Sequence, residues 1–149
     1  MNLEDNVCSL ELAKKLKELG VNTEPYFWWI DGNIIGNSEF LNMSPSEKLL
    51  LFSNTVELYP AFTSDELFDL LPAWIDTKQN EPFNIFYLFL QKRTTENIRY
   101  IAKYVCDTFS AEEIEHPIIS FKSLIKTHSP KLADCLAELL ILVKEQGLG

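Results

Sequence analysis

The chain has 149 residues, 46% hydrophobic and 23% charged, and a formal net charge of −9. That composition is globular rather than disordered, and the length suits a single domain over residues 1–149 that buries a core without disulfide staples. No apolar run approaches the roughly 20 residues of a membrane span, and MNLEDNVCS carries neither the basic nor the apolar part of a signal peptide, so none is expected.

The first element is SLELAKKLKELG. Ser9 is a helix cap, Leu12, Ala13, Leu16 and Leu19 share one face, and Gly20 is placed to stop the helix. EPYFWWIDGNII follows. Aromatic residues favour strands and Asp31-Gly32-Asn33 is a turn signal, so residues 26–35 read as a β-hairpin. Alternation along a strand puts Phe27 and Trp29 on one face and Tyr26 and Trp28 on the other. Either a second layer covers the hairpin, or Tyr26 and Trp28 form an exposed aromatic patch.

Two capping boxes come next. Ser44-Pro45-Ser46-Glu47 starts a helix carrying Leu49, Leu50 and Phe52, with Pro at its first position. Thr63-Ser64-Asp65-Glu66 starts a short helix with Leu67, Leu70 and Leu71 before Pro72. Asp65, Glu66 and Asp69 complement the positive end of that helix.

The period then changes. AWIDTK (73–78) reads as a strand. FNIFYLFL (83–90) is almost wholly apolar, which suits a central strand covered on both faces. Thr94 to Asn97 reads as a turn and IRYIAKYV (98–105) as a further strand. The hairpin at 26–35 is a candidate extension of this meander. The last third reads as helical: a third capping box at Ser110-Ala111-Glu112-Glu113, a short helix with Phe121, Leu124 and Ile125, and a long one opened by Ser129-Pro130. In the long helix Leu132, Leu136, Leu139, Leu140 and Val143 fall at helical spacing and Gly147 is the stop. The expected class is α+β: an antiparallel sheet of three to five strands packed by N-terminal and C-terminal helices.

CSLELAKKLKELGV (Cys8 to Val21), YPAFTSDELFDLLP (Tyr59 to Pro72) and the closing KLADCLAELLILVKEQGL together resemble a family of small phage- and prophage-encoded bacterial proteins of unknown function. The resemblance spans the beginning, part of the middle and the end, about a third of the chain. It implies a mobile-element or bacterial cytosolic setting and brings no catalytic residues with it.

Charge is unevenly placed. From Glu18 to Asp76 there are ten acids and one base, Lys48, whereas the remainder holds twelve of each. The same stretch holds all three Trp and ten of the eighteen aromatic residues. Phosphate binding needs clustered Lys and Arg, so direct nucleic-acid binding is not expected. Five scattered glycines make no phosphate loop, and there is no nucleophile elbow. His116 and His128 read as surface or boundary residues, Cys106 and Cys135 as buried small hydrophobes, and Glu112, Glu113 and Glu115 as a solvated helix start. The odd cysteine count without C-x-x-C spacing fits reduced thiols in a cytoplasm. No cofactor, metal or membrane association is expected.

The sequence therefore points away from an enzyme and toward a protein-interaction module. Its candidate surface lies within residues 18–77, with Glu24, Tyr26, Trp28, Asp31, Asp65 and Asp69 meeting a partner of basic or mixed charge. The alternative is a small hydrolase or ligand-binding enzyme with an aromatic pocket near Trp28, Trp29 and Trp74. An open strand edge or a Leu stripe on the last helix would serve a homodimer.

Overall fold

Capping and turn chemistry set most of the element boundaries in the computed structural model, which describes residues 2–52, 57–77, 85–94, 97, 99–109 and 119–148. Helix α1 (Leu10–Glu18) has Ser9 at its N-cap without a side-chain bond. It ends on Gly20 at φ 82°, where the N–H of Val21 returns to the carbonyl of Leu16 at 3.1 Å. That return bond uses a carbonyl the helix would otherwise leave open, and only glycine takes the left-handed position without strain. Helix α5 (Leu132–Glu145) ends the same way: Gly147 has φ 65° and Leu148 N–H bonds to Val143 O at 2.9 Å. Its N-cap is Lys131 rather than the Ser129-Pro130 pair.

The hairpin forms as read. Strand β1 (Phe27–Ile30) pairs antiparallel with β2 (Asn33–Gly36) across Asp31-Gly32, whose φ values of 48° and 77° are those of a two-residue primed turn. It does not extend the later meander. Instead β1 takes β3 (Leu58–Pro60) on its other side, giving a separate three-stranded sheet in the order β2-β1-β3. Between β2 and β3 lie α2 (Asn37–Asn42) and α3 (Pro45–Phe52). The Ser44 box is present, with Glu47 N–H on Ser44 Oγ and Ser44 N–H on Glu47 Oε2. The Thr63 box opens α4 (Ser64–Leu70) with the same reciprocal bonds.

The second sheet is an antiparallel meander in the order β4-β5-β6-β7, made of Trp74–Asp76, Ile85–Arg93, Arg99–Phe109 and Ile119–Ser129. Mixed helices and two antiparallel sheets make the chain α+β. Two expectations are corrected. The short helix around Phe121, Leu124 and Ile125 is the strand β7, bonded along its length to β6. A register shift at Tyr104/Val105 sets Val105 against Ser123 and Tyr104 against Ile125, so one residue of β7 is extra and strict alternation breaks there. And β5, read as covered on both faces, buries Phe86 on one face but exposes Ile85, Tyr87 and Phe89 on the other. The third capping box and His116 lie outside the described residues, as do Phe83 and part of the turn at 94–97.

One apolar cluster joins both sheets to the helices. Leu136, Leu139 and Leu140 of α5, Leu16 of α1, Leu67 of α4, Ile75, Phe86 and Tyr104 of the meander and Trp29 of the hairpin all belong to it. Each such side chain contributes about 1.5–3 kcal/mol by leaving water. Thr127 is buried on β7 and donates its hydroxyl to Cys135 O of α5 at 2.8 Å, which fixes how the helix lies on the sheet. Among the described residues no buried side-chain polar atom lacks a partner.

Candidate functional site

The hairpin buries its aromatic residues unequally. Trp29 points into the core and donates its indole N–H to Cys8 O at 3.0 Å, with Phe27 on the same face against the core. Trp28, on the opposite face, is half-buried; α2 lies against it, with Phe40 at 6.4 Å between ring centroids. Tyr26, just ahead of the strand, is 65% exposed.

Asn37, at the start of α2, organises this corner. Its backbone N–H donates to Tyr26 O at 2.8 Å, its side-chain oxygen accepts the Trp28 indole N–H at 2.8 Å, and its side-chain amide donates to Glu24 Oε1 at 2.8 Å. Glu24, Tyr26 and Trp28 are therefore brought together around one residue. On its other side, Tyr26 gives its backbone N–H to Glu66 Oε1 at 2.7 Å. That bond sets the corner against α4, where Asp65 and Asp69 occupy the exposed face. Helical spacing places Glu66 on the flank of that face nearer Tyr26 and the exposed ring of Phe68 on the other flank. Asp31 is not part of the group: it sits in the hairpin turn, five residues and about 16 Å of strand from Tyr26.

Sequence reasoning missed three members. Asn37 was hidden because its role depends on α2 folding back over the hairpin. Glu66 was legible as a cap, but one of its two oxygens also serves Tyr26. Phe68 stands out only because the core-facing stripe of α4 is Leu67 and Leu71.

Beside Trp28 lies a cavity of about 310 Å³, walled by Lys17, Val21, Asn22, Thr23, Leu58 and Pro60. The alternative pocket of Trp28, Trp29 and Trp74 is not assembled. Trp28 and Trp29 face opposite ways, and Trp74 stands 60% exposed on β4 in the other sheet. His128 is exposed on β7, and a wider groove of about 570 Å³ runs from it between β7 and α5 to Lys15 and Glu138. Burial raises the Glu138 carboxyl above its ordinary value and Asp134 adds to this, with His128 and Lys15 opposing. All three cysteines are free and buried. Among the described residues no group of three His, Cys, Asp or Glu side chains is arranged to hold a metal, and no helix is long and apolar enough to cross a membrane.

Comparison with protein-family models, with curated proteins and with solved structures gave no match.

Proposed function

We propose that this chain is a non-catalytic protein-interaction module. It uses the acidic, aromatic surface of residues 18–77 to hold a partner of basic or mixed charge, in the cytoplasmic, phage- or prophage-type setting its motifs resemble. The observation that carries the reading is Tyr26. Its ring is largely in water, yet its backbone is held on both sides, by Asn37 and by Glu66. A residue whose backbone is held in this way has little backbone freedom left to lose on binding, and a tyrosine side chain adds only two torsions, which suits an interface anchor. Asp65 and Asp69 on α4 supply the charge that steers a basic partner.

The test is capture from a bacterial host lysate by the wild-type chain, by Tyr26→Ala and by Asp65→Asn with Asp69→Asn, each at low and high salt. The reading requires proteins held by the wild type, released by salt and lost from both variants. Identical capture by all three chains would contradict it.

A further inference from the structure

The register of the meander places a second, unlike surface on the face of the sheet turned away from α5. Trp74 of β4 stands opposite Tyr87 of β5, which pairs with Val105 of β6. In the next row Phe89 pairs with Lys103 and Lys103 with Lys126; in the last, Arg93 faces Arg99. Trp74, Tyr87 and Phe89 are 60%, 58% and 43% exposed. From the row of Tyr87 to that of Arg93 is about 20 Å of strand.

Strand pairing sets cations of this face opposite one another, while Lys103 Nζ also lies 5.2 Å from the Phe89 ring centroid and Lys126, at the sheet edge, also lines the groove that holds Glu138 and Glu145. Arg93 lies across from Arg99 and Lys103 across from Lys126, and like charges directly opposite weaken a sheet. The Lys131–Asp134 ion pair, 3.5 Å long, belongs to the start of α5 and not to this face. Arg93, Asn97, Arg99, Lys126 and His128 wall a cavity of about 280 Å³. The register sets two carboxylate positions on this face, Asp76 on β4 and Asp107 on β6, both beyond the Tyr87–Val105 row. Asp76 lies in the row of Ile85, at the end away from the arginines.

We propose that this face binds single-stranded nucleic acid, its phosphates held by Arg93, Arg99, Lys103 and Lys126 and its bases stacked on Trp74, Tyr87 and Phe89. A fixed anion relieves the opposed cations, and aromatic faces beside a cationic track are how open sheets hold unpaired bases. A duplex is the poorer ligand because its bases are stacked inward, which leaves Trp74, Tyr87 and Phe89 without a partner and only the phosphate contacts. The net charge of −9 does not forbid this. At physiological salt, charges more than about 8 Å away are largely screened, so the local cations decide. The sequence-level count of twelve acids and twelve bases outside 18–77 conceals the cluster, because pairing brings together bases that are far apart in the chain.

The test is fluorescence anisotropy with labelled dodecamers of deoxythymidine and of uridine, and with a duplex of the same length. The expected result is a dissociation constant on the order of 10 micromolar near 50 mM salt. Affinity should fall about twentyfold by 200 mM if three phosphates are neutralised. Trp74→Ala and Phe89→Ala should each lose about tenfold. Arg93→Gln with Arg99→Gln should lose at least as much, Lys144→Gln on α5 nothing, and the duplex should bind more weakly than either single strand. These side chains are exposed, so far-ultraviolet circular dichroism should be unchanged, and melting should not fall in any variant and should rise slightly in Arg93→Gln with Arg99→Gln, where opposed like charges are removed. Absent binding at low salt, equal loss from Lys144→Gln, or aromatic variants that bind normally would each overturn the proposal. So would flat anisotropy combined with loss, from the same variants, of a captured protein or of a self-associated dimer seen by sedimentation. Tyr26→Ala should leave oligonucleotide binding intact, so this test and the one for the acidic surface fail independently.

Discussion

The backbone N–H of Tyr26 donates to one carboxylate oxygen of Glu66 at 2.7 Å, while the other oxygen accepts the backbone N–H and the hydroxyl of Thr63. One side chain thus caps α4 and holds the approach to the hairpin. Glu66→Ala should remove the reciprocal half of the capping box together with the bond to Tyr26 and cost about 2 kcal/mol in urea unfolding, whereas Thr63→Ala, which removes the hydroxyl half of the box and leaves Tyr26 bonded to Glu66, should cost about 1 kcal/mol. Equal costs would mean that the bond to Tyr26 contributes nothing.

The hairpin turn supplies a second prediction. Gly32 has φ 77° with no atom near the place a Cβ would occupy, so substitution there meets backbone strain rather than a clash. Gly32→Ala should destabilise by about 1 kcal/mol, and Asp31→Asn should be neutral or slightly favourable, since asparagine tolerates the left-handed region better than most residues. Asp31→Asn should also leave partner capture unchanged, because Asp31 stands apart from the Tyr26 corner.

Alkaline pH probes the core. Burial pushes the Cys8 thiol from its ordinary 9.0 up to about 12. Burial also raises the Tyr104 phenol, whose hydroxyl donates to Pro72 O. Both groups stay neutral in the folded chain and ionise more readily once unfolded. Their contribution is therefore complete below about pH 9 and is lost as pH climbs from there toward 12. The urea midpoint should fall between pH 9 and 11, less steeply in Cys8→Ala. At pH 8 a thiol reagent should label none of the three cysteines until the chain is unfolded.

Local chemistry was readable and long-range placement was not. Ser44-x-x-Glu47 and Thr63-x-x-Glu66 are capping boxes in sequence and in structure, because a cap is settled within four residues. Gly20, Gly147 and Asp31-Gly32 were legible for the same reason: positive φ is a property of one position. Strand β7 was misread because its bulge breaks the two-residue period, leaving Phe121, Leu124 and Ile125 at a spacing that mimics a helical stripe. Apolar Ile85, Tyr87 and Phe89 looked like core because composition does not reveal which sheet face a helix will cover. At the candidate site, the exposed Tyr26 and the acids of α4 could be named in advance. Their link through Asn37 and Glu66 could not, since it depends on contacts up to 40 residues apart in sequence.

The most direct measurement is photocrosslinking in a bacterial host, with benzoylphenylalanine placed in turn at Tyr26, at Phe68 and at Ile85, an exposed apolar residue on β5 of the other sheet. An interaction surface centred on Tyr26 predicts the same discrete crosslinked protein from positions 26 and 68, weakened by Asp65→Asn with Asp69→Asn, and not from position 85. No adduct from 26 or 68, or an equal adduct of the same protein from 85, would contradict it.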